Sequence, residues 1–192
     1  MKKLNKALAL ALSLALVFLL RATGETLAFY SVTGTATNVI TSGGIHLKIH
    51  EHNGDNGMIF PSGGIQVRPG DKVPKRVAVE NTCGQPFYLR IRLTPGVENA
   101  DLPVDKVFFF VTNAGEWTLH DDGCYYFNRI VQPGEVTNSL FREVEIVREH
   151  VGKQYEGKTL TLTVTAEAVQ SKNNPADYPW NAAGWPESGG AV

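Results

Sequence analysis

The stretch Thr159 to Val169, TLTLTVTAEAV, alternates apolar and polar residues along its whole length. In an extended chain successive side chains point to opposite faces. Leu160, Leu162, Val164, Ala166 and Ala168 therefore share one face, and Thr159, Thr161, Thr163, Thr165 and Glu167 share the other. One buried face and one wet face is the habit of antiparallel sheets. The same rhythm runs through Phe87, Leu89, Ile91 and Leu93, set against Tyr88, Arg90 and Arg92. It returns in Ile45, Leu47 and Ile49, set against His46, Lys48 and His50.

Shorter strands fill the gaps. Arg76 to Asn81 places Val77 and Val79 inward, and Leu140 to Arg148 does the same with Val144 and Ile146. Ile65 to Arg68 lies between turns at Pro61 to Gly64 and Pro69-Gly70. Asp121-Asp122-Gly123 is a hairpin signal joining Glu116–His120 to Cys124–Ile130. The dense apolar run Val107 to Val111 predicts a buried strand, with a short helix before it over Leu102 to Val107. About ten short strands, frequent turn residues and almost no helix predict an all-β fold, an antiparallel two-sheet, jelly-roll-like β-sandwich.

The first 28 residues stand outside that pattern. Lys2, Lys3 and Lys6 precede an apolar run from Ala7 to Leu20, and Thr26-Leu27-Ala28 ends in a small residue. This reads as a signal peptide cleaved between Ala28 and Phe29. The run is shorter than the ~20 residues of a bilayer span, so membrane contact is expected only through the uncleaved leader. Residues 29–172 form the expected sandwich domain. Residues 173–192, rich in Pro and Gly, form an expected loose tail whose Trp180 and Trp185 are free to dock on the sandwich.

Charge narrows the partners. The chain has 18 basic and 19 acidic residues; without the leader's Lys2, Lys3, Lys6, Arg21 and Glu25 it keeps 14 and 18, a net of −4. Nucleic acid as a partner is not expected of such a surface, because phosphate binding needs a basic face.

Candidate chemistry is sparse. His46, His50 and His52 share a strand face, and weigh as a weak metal site against a plain solvated face. No H-E-x-x-H string supplies the ligands and base of a zinc protease, and no G-x-S-x-G elbow, P-loop or dinucleotide fingerprint is present. No enzyme activity and no cofactor are expected. Cys83 and Cys124 make a possible disulfide, closing a loop that contributes about 3–4 kcal/mol. Trp117, Tyr125, Tyr126 and Phe127 read as core or as a sugar-binding face, and Tyr88, Arg90 and Arg92 as an exposed basic-aromatic ridge.

Several stretches coincide with one family. AFYSVTGTATNVITSGGIHLKI (Ala28 to Ile49), PGDKVPKRVAVENTCGQPFYLRIRL (Pro69 to Leu93), WTLHDDGCYYFNRIVQPGEVTNSLF (Trp117 to Phe141) and KTLTLTVTAEAVQSKNN (Lys158 to Asn174) resemble, in order, segments of TasA/camelysin-type exported proteins of Gram-positive bacteria. The resemblance implies processing by a SipW-type signal peptidase and secretion to the extracellular matrix or cell surface. It implies a biofilm-matrix or fibre subunit whose partners are itself or homologous matrix subunits. It also implies donor-strand complementation by Phe29 to Thr41, with Phe29, Tyr30, Val32, Ala36 and Ile40 as the apolar assembly residues. A monomeric surface adhesin or carbohydrate-binding sandwich is the alternative expectation, and a camelysin-type metalloprotease through the three histidines a weaker one.

Overall fold

A computed structural model describes residues 30–38, 44–54, 57–61, 65–98 and 101–186, and for 30–38 the backbone alone. The predicted signal peptide, the Ala28–Phe29 cleavage point, Ile40 and the end of the tail from 187 lie outside the described residues. Twelve strands are described: β1 (Tyr30–Asn38), β2 (Leu47–Asn53), β3 (Met58–Ile59), β4 (Ile65–Val67), β5 (Lys72–Pro74) and β6 (Arg76–Asn81) come first. β7 (Phe87–Val97), β8 (Phe108–Thr112), β9 (Trp117–Leu119), β10 (Cys124–Phe127), β11 (Phe141–Ile146) and β12 (Thr159–Gln170) complete the set. The all-β expectation holds.

Six strands form one sheet in the order β4-β1-β12-β7-β10-β9. Its backbone is the β12–β7 ladder, which pairs Leu160 with Val97 at one end and Gln170 with Phe87 at the other. These are the two segments with the clearest alternation, and their inward residues Leu89, Ile91, Leu160, Leu162, Val164, Ala166 and Ala168 are all fully buried. The β9–β10 hairpin turns through Gly123, whose φ of 76° suits a residue without a side chain.

The remaining strands form two three-stranded sheets, β5-β11-β8 and β3-β2-β6. Backbone bonds join them. Asn81 N–H donates to Glu135 O, Thr137 to Val79, Leu140 to Val77 and Lys75 to Arg142. Residues 72–81 thus run beside residues 135–146 as one long pair, interrupted at Lys75. The effective order is β3-β2-(β5–β6)-β11-β8. Val77, Val79, Phe141, Val144 and Ile146 from this layer meet the six-stranded sheet's inward residues in one common core.

Three expectations need correction. Residues 102–107 form an irregular stretch closed by a turn at 105–107, not a helix. The apolar run Val107 to Val111 forms an edge strand, with Phe109 and Val111 both more than half exposed. Residues 173–186 are not loose: a 3-10 turn at Pro179–Asn181 buries Pro179, and Ala182 packs on Tyr88 and Val169. The domain therefore extends past 172.

Candidate functional site

β1 is the first strand in sequence but an internal strand in its sheet. It runs parallel to β12 from Ser31↔Thr159 to Asn38↔Ala166. On its other side it runs antiparallel to β4, pairing Tyr30 with Val67, Ser31 with Gln66 and Val32 with Ile65. Every other strand pairing among the described residues is antiparallel. Within a single chain, the segment expected to pair with a neighbour occupies its own sheet. Among the described residues β4 pairs with no strand except β1. In register, Val32 and Ala36 sit beside Leu160 and Val164, both fully buried. The seat is therefore a slot flanked by core-facing residues, held on the long side by about eight ladder positions worth ~1 kcal/mol each.

The histidines do not assemble a metal centre. His50 and His52 stack with ring centroids 5.9 Å apart, and His50 Nε2 lies 2.8 Å from Glu80 Oε2. His46 is exposed, and its carbonyl accepts the Thr82 N–H. Among the described residues no three His, Cys, Asp or Glu gather in a way that would hold a metal ion.

The possible disulfide is corrected: both thiols are free. Cys83 packs against the main core, and its thiol lies within hydrogen-bond reach of Asn81 Oδ1 and Gln85 O. Cys124 pairs with Arg92 across β10–β7 and is fully buried on the outer face of the six-stranded sheet. The two side chains serve different sides of that sheet. Burial pushes the Cys124 thiol up to about 11, which leaves it unreactive at neutral pH.

The ridge of Tyr88, Arg90 and Arg92 is not an exposed surface. Arg90 is 4% exposed and Tyr88 6%. Arg90 Nε donates to Glu167 Oε2 at 2.5 Å, Nη1 to Asp122 Oδ2 and the Tyr126 hydroxyl at 3.1 and 3.0 Å, and Nη2 to the Pro186 carbonyl at 2.7 Å. Trp185 lies against the guanidinium at 4.9 Å. Burial works against the Arg90 charge, but the bonds it donates to Tyr126 and Glu167 hold its pKa above the ordinary value. Burial also opposes ionisation of Asp122, yet bonds from the Cys124 N–H and Tyr126, with the Arg90 charge, bring its carboxyl below the usual range. The C-terminal segment is thus clasped over the sheet. Asn174 closes it by bonding Gln170 O, Ala183 O and Ala183 N–H. Trp180 stacks between His120 and Tyr178.

Trp117 and Tyr126 are each 2% exposed. Trp117 packs on Phe127 in the core, and Tyr126 lies beneath Trp180 and Trp185. The aromatic strand offers no open face for a sugar.

Sequence reasoning missed one further feature. Lys75 is 1% exposed, and its Nζ lies 2.9 Å from Glu51 Oε1 and 3.8 Å from the Phe60 ring centre. The two charged atoms touch, but neither finds an aligned hydrogen bond. Burial brings the Lys75 pKa down despite the attraction of Glu51. Comparison with known proteins finds no matching family model, no matching curated protein and no matching solved structure.

Proposed function

We propose that this chain is a secreted structural subunit of the TasA/camelysin kind, a jelly-roll-like sandwich that builds matrix or surface fibres by exchanging its first strand. The observation that carries the reading is the position of β1: the first strand among the described residues, internal in the sheet, and parallel to its long neighbour β12. Once a leader is removed at Ala28–Phe29, this strand stands at the chain terminus, where it leaves or enters a slot without threading any loop. A copy of the same strand from a neighbour can fill the same seat, so self-pairing and exchange compete for it.

Exchange has a reason to win. Parallel pairing is slightly weaker per residue than antiparallel pairing. A donated strand entering in the reverse sense runs antiparallel to β12 along the long side and gives up only the short β4 ladder. The alternation of the segment survives this reversal. When β1 leaves, β12 and β4 expose unpaired backbone edges, which template a new strand. Removal of a leader at Ala28–Phe29 by a SipW-type peptidase then acts as the release step, because an uncleaved leader ties Phe29 to the membrane. No catalytic step is assigned to the chain.

The test uses mature protein starting at Phe29, followed by electron microscopy and sizing chromatography over time. Fibres are expected from the intact protein and none from a variant lacking residues 29–41. A synthetic peptide of residues 29–41 should bind that variant, raise its melting temperature and leave it monomeric. Fibres of normal length from the deletion variant overturn the proposal. So does intact protein that stays monomeric at high concentration, or a peptide that binds nothing.

A further inference from the structure

The second layer ends on β8, and that edge is built unlike a guarded one. Natural edge strands are blunted by charges, Pro, bulges or a cover. β8 reads FFFVT, with no charge and no Pro. Its inner side is paired with β11, Phe108 to Ile146 and Phe110 to Val144. On the other side no strand pairs with it among the described residues. Phe109 and Val111 project together from its outer face, 54% and 56% exposed. An apolar, unpaired, extended backbone is a template for one kind of ligand, another strand.

We propose that β8 is a docking edge for the β8 of a second copy, the two strands pairing antiparallel about a two-fold axis at Phe110. The register follows from the pleat. Directly opposite residues in an antiparallel pair share a face. A two-fold axis through Phe110, normal to the sheet, sets Phe109 against the partner copy's Val111 and Phe108 against its Thr112. Outer residues then meet outer residues on both copies, so the single patch is its own complement, as an isologous contact requires. A shift of one position would set exposed side chains against core-facing ones. The β3 edge is a poorer template, because β3 is two residues long.

The area fixes the strength. Phe109 has on the order of 100 Å² left to bury, as half of a Phe side chain's ~150–250 Å². Two copies of Phe109 and Val111 with their backbones fall short of the ~1,200–2,000 Å² of a stable interface. The contact is therefore weak between free molecules. It gains when copies are already tethered, where the local concentration reaches the mM range. It does not depend on strand exchange, and in an exchanged fibre it would join one filament to another.

Cysteine trapping reads the register directly. In a Cys83→Ser background, Phe109→Cys and Val111→Cys proteins are mixed at high concentration under mild oxidant. A disulfide-linked dimer is expected from the mixture in clear excess over either protein alone. In parallel, a Phe109→Lys/Val111→Lys variant sets like charges opposite each other and should weaken self-association about tenfold or more, with an unchanged melting temperature. Ile59→Lys, the matching change on the β3 edge, should have no effect. Equal trapping in mixed and single samples overturns the register. Self-association that survives the double Lys variant, or that is lost with Ile59→Lys, overturns the edge. The residue 29–41 deletion separates the two proposals, since it abolishes exchange and leaves β8 trapping intact.

Discussion

Replacing Lys75 by Met isolates the energetics of the buried ion pair. Met keeps the length of the side chain and its contact with the Phe60 ring, where a thioether packs well. What it removes is the positive charge 2.9 Å from Glu51, whose side chain is only 12% exposed. Glu51 is then a buried carboxylate without a counter-charge. Breaking one half of such a pair costs about 3–5 kcal/mol. Replacing both partners, as Lys75→Met with Glu51→Leu, should return stability to within about 1 kcal/mol of the starting protein or above it. Urea denaturation at pH 7 measures both, the midpoint shifting while the slope stays constant. A single variant as stable as the starting protein at pH 7 refutes the reasoning.

The outer face makes two further predictions. Cys124 titrates at about 11 in the folded protein, against ~8.5 unfolded. Its contribution is complete below the unfolded value and lost as pH rises through about 11, so alkaline melting curves should lose roughly 3 kcal/mol over that window; Cys124→Ala should remove that component and leave the later one from Tyr126, which burial pushes up to about 12. Arg90→Gln leaves the Glu167 and Asp122 carboxylates facing each other without their shared cation, and should cost about 3–5 kcal/mol; tryptophan emission should shift red as Trp185 loses its seat, and an unshifted spectrum with unchanged stability would contradict the clasp.

What the alternation could reveal depends on what it was read for. β7 and β12 announce themselves because every inward position is apolar. Lys75 hides in the same kind of pattern: Val73, Lys75, Val77 and Val79 share one parity, so the lysine stands on the apolar face of its strand. Glu51 likewise continues the inward series Ile45, Leu47 and Ile49. Two opposite charges on inward parities are a signal that each compensates the other, and Glu51 pairs with Val77, two residues from Lys75. Arg90 was hidden differently. Its outward parity is correct, but the face is covered by a segment whose strand-like rhythm is absent. The available hint was chemical, since Trp180 and Trp185 in a Pro-rich tail need apolar or cationic surface to cover, and Glu167 lies opposite Arg90 on the neighbouring strand. The place of β1 was beyond any such signal. Its alternation is weak, with Gly34 at the centre and Thr at four positions between Thr33 and Thr41. Nothing local distinguishes a parallel seat beside β12 from a seat in another molecule, because both present the same backbone groups. That indifference is also the physical basis on which the proposed exchange rests.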